Sequence, residues 1–210
     1  MITLLSLNIE GGRHLARVLP FLEENRTDVV CLQEVFEADM EALTKAVGYA
    51  GTFVAMWNKT EVTSFSPEAR GVQGIALFAR PPHTTETRYY AGNGTAPLFV
   101  PGGAQDRALL IARLEKDGER FTVATTHFTW TPDGKANDEQ RANFARLVQL
   151  APDELVLCGD FNAPRGREIF SKFAERFTDN LPATITSTID PELHRRKGLS
   201  LVVDTIFSTP

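Results

Sequence analysis

Arg107–His127, RALLIARLEKDGERFTVATTH, decides the fold. Two runs, Arg107–Leu114 and Phe121–His127, read as strands, and the Asp-Gly pair of Lys116-Asp117-Gly118 between them favours a tight hairpin turn. Strands joined by so short a turn run antiparallel, which a pure array of strand–helix–strand units does not allow. Upstream, Gly51–Trp57, Gly74–Arg80 and Thr84–Tyr90 read as further strands, punctuated by Arg80-Pro81-Pro82-His83 and Ala91-Gly92-Asn93-Gly94. Downstream come a helix over Asn137–Leu150 with Phe144, Leu147 and Val148 on one face, a strand over Glu154–Cys158, a helix over Glu168–Phe177 and a last strand over Leu201–Phe207. The chain opens differently. Ile2–Ile9 is a short apolar strand broken by Gly11-Gly12, and Leu15, Val18, Leu19 and Leu22 follow at helical spacing, interrupted by Pro20. Asp28–Gln33 is a second strand ending in Glu34, and Ala38–Val47 a second helix closed by Gly48. Strands outnumber helices, which come early and late, so the pattern predicts two sheets packed together with helices outside. No repeat, low-complexity tract or long linker divides the chain, and one domain over 1–210 is expected.

Composition sets the outer limits. Of 210 residues, 42% are hydrophobic and 23% charged, an ordinary globular balance rather than a disordered one. No apolar run approaches the roughly 18 residues a membrane span requires. Polar Asn8 and Glu10 arrive too soon for a signal peptide, so a cytoplasmic protein with no membrane partner is expected. The net charge of −5, from 22 Lys plus Arg against 27 Asp plus Glu, argues against a broad basic face that coats nucleic acid. It leaves room for an enzyme that grips a few phosphates locally. Cys31 and Cys158 sit inside apolar runs without a CxxC pattern, which marks them as core residues rather than a disulfide or zinc site.

The chemistry-bearing signal is a set of polar residues where apolar strands end. Asn8 closes the first strand, Glu34 the second and His127 the strand after the hairpin, while Asp160 and Asn162 follow Leu155–Cys158. Asp204 lies inside Leu201–Phe207 with apolar residues on both sides. Any one of these reads as a cap or turn residue. Together, at strand ends of a layered sheet, they read as a site. Carboxylates and an Asn carbonyl are hard oxygen donors suited to Mg²⁺ or Mn²⁺. A His and an Asp beside such an ion can orient or deprotonate a water, and an Asn amide can donate to phosphoryl oxygens as charge builds there. These parts add up to metal-assisted phosphoester hydrolysis.

Leu5-Ser6-Leu7-Asn8, Leu32-Gln33-Glu34-Val35, the segment Gly74–Arg80, Thr126-His127-Phe128, Gly159-Asp160-Phe161-Asn162 and Val203–Phe207 together resemble the motifs of the endonuclease/exonuclease/phosphatase superfamily, in that family's order. The resemblance implies a four-layer α/β/β/α sandwich of two mixed, mainly antiparallel sheets. It implies Glu34 as the principal metal ligand with Asn8 beside it, Asp160 as the group that orients or activates water, and Asn162 as a holder of a phosphoryl oxygen. His127 would contact the scissile phosphate. Arg107 is similar to an arginine the family often aims at that phosphate, a solvated strand-end charge being its other reading. One departure stands out. The family pattern continues to a Ser-Asp-His motif whose His pairs with the residue matched here by Asp204, and no Ser-Asp-His occurs in this sequence. A C-terminally shortened domain is therefore expected. His14, His83 and His194 read as surface residues, His194 being the nearest stand-in for the missing partner.

The basic run His194-Arg195-Arg196-Lys197 reads either as a solvated turn or as a phosphate-gripping loop, and Arg165 and Arg167 either add to it or begin a helix. Trp57 and Trp130 read as packing or as stacking surfaces for bases. The expected function is a divalent-metal-dependent phosphodiesterase or nuclease acting on nucleic acid. A phosphate- or nucleic-acid-binding module without turnover and a phosphatase of small phosphorylated molecules are the alternatives.

Overall fold

In the computed structural model, which describes residues 1–61, 69–100 and 103–210, the opening apolar run forms β1 (Leu4–Asn8). After a single 3₁₀ turn, α1 (Leu15–Glu24) buries Val18 and Leu22 and runs straight through Pro20. Pro20 removes one helical hydrogen bond, which the packed apolar stripe tolerates. β2 (Val29–Phe36), α2 (Met40–Val47), β3 (Gly51–Lys59) and β4 (Gly71–Ala79) complete a four-stranded sheet in the order β1-β2-β4-β3. The remainder, β5 (His83–Ala91), β6 (Arg107–Lys116), β7 (Glu119–His127), α3 (Asp138–Leu150), β8 (Val156–Asp160), α4 (Glu168–Arg176), β9 (Thr178–Asp179) and β10 (Asp204–Ser208), builds a six-stranded sheet ordered β5-β6-β7-β8-β10-β9.

The β6–β7 hairpin forms as its sequence predicts, with Asp117 and Gly118 both at positive φ (55° and 78°). Among the strands of the described residues β1–β2 and β7–β8 pair in parallel, and the other neighbouring strands pair antiparallel. Period-two alternation along β6 divides the layers. Leu110 and Ala112 face the first sheet, packing with Cys31, Ile75 and Leu77, whereas Leu109 and Ile111 face outward onto Leu147, Phe170 and Phe173 of α3 and α4. On the far side of the first sheet, Leu43 and Val47 of α2 join Val18 and Leu22 over Leu32 and Phe78. The result is the four-layer α/β/β/α sandwich. Cys31 and Cys158 are free and fully buried between the sheets. Among the described residues no helix is long and apolar enough to cross a membrane.

Several strand ends shift by two or three residues, among them those of β1, β3, β4 and β8, and three further differences bear on the site or the sheet edge. β2 does not end at Glu34 but continues through a bulge there to Phe36. The last strand begins at Asp204 rather than Leu201, so Asp204 opens it instead of lying inside it. β9 has no sequence signal: two residues, Thr178 and Asp179, pair along the far edge of β10 because α4 delivers them there.

Candidate active site

Backbone register gathers half of the site. His127 of β7 pairs with Asp160 of β8, and Asp160 pairs in turn with Asp204 of β10, so three ionisable residues lie on one rung of the second sheet. Neighbours in register project to the same face, and Thr125, two residues before His127, meets Gln33 of the opposite sheet at 3.0 Å. The rung therefore faces inward, toward the first sheet. Gly159 permits this closeness. Its φ is 140°, and a Cβ there would fall 2.0 Å from the Thr126 carbonyl oxygen, so only glycine lets β8 lie against β7 at this point. Beyond it, Asn162 takes a left-handed φ of 49°, which turns its backbone N–H back to Asp160 Oδ1 at 2.8 Å and its side-chain amide to the Phe128 carbonyl at 3.0 Å.

The other half comes from the first sheet. Asn8, at the end of β1, donates to Asp160 Oδ2 at 2.9 Å and to Glu34 Oε1 at 3.3 Å, so one amide joins a carboxylate from each sheet. Glu34 occupies the β2 bulge at φ 57°, and β3 carries a second bulge at Met56. Both bulges fall beside Gly74 of β4, whose hydrogen leaves room for the Val54 carbonyl where a Cβ would sit 1.9 Å away. Gln73 then links the two distortions: it donates to the Glu34 carbonyl at 2.9 Å and accepts from the Trp57 indole at 2.9 Å. Trp57 meets the His127 ring edge-on at 5.5 Å between centroids.

Sequence reading did not find Glu10, Gln73, Gln105 or Thr188, nor the part that Trp57 and Lys59 take in the site. Glu10 stands at φ 49° beyond β1 and receives both the backbone N–H and the Nε of Arg195, at 3.0 and 2.9 Å. The same guanidinium reaches Glu34 Oε2 at 3.4 Å. Of the basic run, then, Arg195 is turned into the site rather than being a solvated turn residue. Arg165 and Arg167 are turned elsewhere: Arg165 pairs with Asp179 at 2.6 Å and Arg167 donates to the Asp133 carbonyl. Arg107 is 5% exposed, which removes the solvated reading. It donates to the His127 carbonyl at 2.9 Å and to Gln105 at 2.5 Å, with its guanidinium 5.0 Å from the Trp57 ring centroid. Trp57 is buried, whereas Trp130, three residues past His127, is about half exposed.

His194 does not stand in for a partner of Asp204. Its ring Nδ1 lies 3.1 Å from the Arg196 carbonyl oxygen, held by its own turn. Asp204 instead accepts from the Thr188 hydroxyl at 2.9 Å, and among the described residues its Oδ1 has no partner. His14 pairs with Glu10 at 3.2 Å, and His83 opens β5.

Burial dominates the electrostatics. It pushes the Asp160 carboxyl up to about 6, assisted by Glu34 and opposed by the Asn162 N–H, the Asn8 amide and Arg107. It also raises Asp204 well above the carboxylate range, with Asp160 adding repulsion and Thr188 opposing. Burial pushes His127 down to about 3 against the pull of Glu34, so the imidazole is neutral near pH 7. Glu34 goes the other way. Burial acts to raise it, but His127, Lys59, Arg195 and the Asn8 amide outweigh burial and leave it below its ordinary value. With His127 neutral, Lys59 and Arg195 are the standing positive charges beside Glu34.

A cation entering here meets oxygen donors: the Glu34 carboxylate, Glu10 within reach of the same guanidinium, and Asn8, whose Oδ1 accepts the Glu10 N–H at 2.9 Å. Among the described residues no three His, Cys, Asp or Glu side chains close into a metal cage. Two carboxylates and an amide suit a hard ion that keeps most of its waters, as Mg²⁺ does, and do not suit zinc.

Two facing mixed sheets, helices outside, and a polar array where their strand ends meet define a phosphoesterase-type sandwich. The chain belongs to the Endonuclease/Exonuclease/phosphatase family, whose model matches residues 5–210. Nocturnin of Drosophila melanogaster is 30% identical over 156 residues, covering 70% of this chain but only 23% of that relative. Among solved structures, an endonuclease/exonuclease/phosphatase from Bacteroides vulgatus superposes with a TM-score of 0.69 at 16% identity, over 100% of this chain and 87% of that one. The human Nocturnin catalytic domain superposes with a TM-score of 0.57 at 22% identity, over 87% and 69%. At such identities the structural likeness concerns the fold.

Proposed function

We propose that this chain is a divalent-metal-assisted phosphoester hydrolase acting on phosphodiesters, with nucleic acid as its substrate class. The observation that carries this reading is the His127–Asp160–Asp204 rung joined through Asn8 to Glu34 of the other sheet. Family membership supports the reaction class. The basic turn meeting the site through Arg195, and half-exposed Trp130 just beyond His127, support an extended polyanionic substrate with bases to stack.

Each side chain has a part it can play in in-line attack of water on phosphorus, in which the bond to the water oxygen forms as the bond from phosphorus to the leaving oxygen breaks and that oxygen takes a proton from solvent. Asp160, ionised above a pH of about 6, orients the attacking water and accepts its proton. Asn162 spends one amide hydrogen on the Phe128 carbonyl and keeps the other for a phosphoryl oxygen. His127, uncharged, offers a ring nitrogen to the phosphate, and its Nδ1 has no partner among the described residues. Arg107 holds the His127 carbonyl and so acts as a positioning residue. Asp204, raised by burial and by Asp160, is held toward its protonated form beside Asp160. Glu34 and Asn8 would hold a divalent ion, which would supply Lewis-acid stabilisation of charge on the phosphoryl oxygens.

The test is hydrolysis of bis(p-nitrophenyl) phosphate and of labelled DNA with Mg²⁺ or Mn²⁺, with EDTA and Asp160→Asn as controls. Activity abolished by both controls is expected, and activity that survives Asp160→Asn would refute the assignment. One observation favours a second reading, binding without turnover: Asp204 meets Thr188 and no histidine among the described residues. On that reading calorimetry detects phosphate binding while neither substrate is cleaved.

A further inference from the structure

The turn containing the basic run meets the site through Arg195, by its side chain and by its backbone N–H. Asp190 Oδ1 accepts the N–H groups of Glu192 and Leu193, and the Asp190 carbonyl accepts the N–H of His194, so the turn is internally braced. From this base Arg195 spans two carboxylates far apart in sequence, with Nε 2.9 Å from Glu10 Oε1 and Nη2 3.4 Å from Glu34 Oε2. Both carboxylates stand on left-handed backbone, Glu10 at φ 49° and Glu34 at φ 57°. The guanidinium therefore lies beside the donor on which the metal reading depends.

We propose that Arg195 and a divalent cation compete for the Glu34 carboxylate, the arginine arm holding Glu10 and Glu34 together until the cation displaces it. This rests on the metal-assisted reading above. Two cations sharing one carboxylate repel at such range, so one must yield. The arginine is the more exposed of the two partners. Its side chain is 39% exposed, and Glu10 keeps His14 at 3.2 Å, Arg13 at 3.6 Å and the Arg195 backbone N–H at 3.0 Å after the arm leaves. The braced turn stays hinged on that N–H while the side chain swings. By linkage, whatever weakens the arginine's hold must strengthen the metal's.

The experiment measures Mn²⁺ affinity by electron paramagnetic resonance for the wild-type chain, Arg195→Gln, Arg13→Gln and Glu34→Gln. In parallel, phenylglyoxal labelling of Arg195 with and without Mn²⁺ is read by mass spectrometry, with Arg196 as internal reference. Arg195→Gln is expected to bind Mn²⁺ at least about fivefold tighter, with Arg13→Gln within about twofold of wild type and Glu34→Gln losing the site. Arg195 is expected to label faster when Mn²⁺ is present, and Arg196 at an unchanged rate. If Arg195→Gln binds no tighter while Glu34→Gln has lost binding, the competition is overturned and the metal site stands. Tighter binding shared by Arg13→Gln, or unaccompanied by faster labelling, is a net-charge effect and also overturns it. If Mn²⁺ binding is absent, or indifferent to Glu34→Gln, the metal reading falls and the competition falls with it.

Discussion

Asn8, at the end of β1, donates across the sandwich to Asp160, at the end of β8, at 2.9 Å. This bond joins the two sheets at the edge where the polar residues gather, and the same amide reaches Glu34 at 3.3 Å. A donor shared by a buried and a half-buried carboxylate steadies both negative charges and fixes their separation. Asn8→Ala removes it. The rate of phosphodiester hydrolysis is expected to fall roughly 10- to 100-fold, the usual cost of losing a group that orients ligand and base. Because the Asn8 amide also holds Asp160 down, the acidic limb of the pH–rate profile moves to higher pH in the variant. An unshifted limb would separate Asn8 from Asp160.

Asp160 also makes a statement about stability. Its folded value, near 6, lies above that of an exposed carboxyl, so between about pH 4 and 6 the folded state binds more protons than the unfolded one. Its contribution is therefore favourable at low pH and is lost as pH rises through that window. Asp160→Asn has no charge to bury. At pH 7 the variant is expected to be inactive and yet more stable by of order 1 kcal/mol, a trade of stability for function. Urea melts at pH 5 and pH 7 check this, the gap between variant and wild type widening at the higher pH. A variant less stable than wild type at pH 7 would show that the hydrogen bonds to the carboxylate outweigh its burial.

Legibility in the sequence followed periodicity. The Arg107–His127 hairpin was readable because its turn chemistry and its two alternating runs agree, and the motif residues were readable because each follows an apolar strand. The β2 bulge was not readable, since Leu32-Gln33-Glu34-Val35 carries no glycine or proline; the glycine that accommodates it, Gly74, lies one strand away. Asp204 appeared as an acid buried within a strand and proved to begin one, because the three preceding apolar residues lie outside the ladder. Glu10, Gln73 and the carboxylate partners of Arg195 lay beyond local reading for a shared reason. Their roles depend on partners 16 to 185 positions away, Arg195 to Glu34 and Glu10, Gln73 to Glu34 and Trp57, and no local pattern encodes such contacts. Glu10 to Asn8, by contrast, is only two residues.

Asp28 titrates with the opposite sign. It is 1% exposed, receives Arg80 at 2.5 Å, Lys116 at 2.9 Å and Thr3 at 2.9 Å, and ties the start of β1 to the ends of β4 and β6. The Arg80 guanidinium first, then the Lys116 ammonium, holds its carboxyl far below the ordinary range despite burial. The unfolded state therefore takes up the proton first, and the stability Asp28 contributes is full above about pH 4 and drains away as pH falls below it. Asp28→Asn is expected to lower the melting temperature clearly at pH 7 and progressively less toward pH 3. Equal losses at both pH values would assign the effect to packing rather than charge.

Gln73 offers the sharpest test of how the bulge serves the site. Its amide nitrogen holds the Glu34 carbonyl, and its amide oxygen takes the Trp57 indole N–H, so a side chain touching neither phosphate nor metal donor orients a glutamate and a tryptophan together. Gln73→Met keeps the volume and removes both bonds. Trp57 then loses its buried acceptor and the Glu34 backbone its anchor, at a cost of about 1–3 kcal/mol in stability. If the bulge exists to aim Glu34, the Mg²⁺ concentration for half-maximal hydrolysis rises roughly 10- to 100-fold. Gln73→Glu separates the two bonds: it keeps an acceptor for Trp57 and loses the donor to Glu34. At 1% exposure the new carboxylate is buried against the Glu34 carbonyl oxygen, so this variant should also lose stability while showing the same demand for metal. A Gln73→Glu variant with ordinary metal dependence would mean that the bulge holds its shape by backbone pairing alone, and that Gln73 serves Trp57.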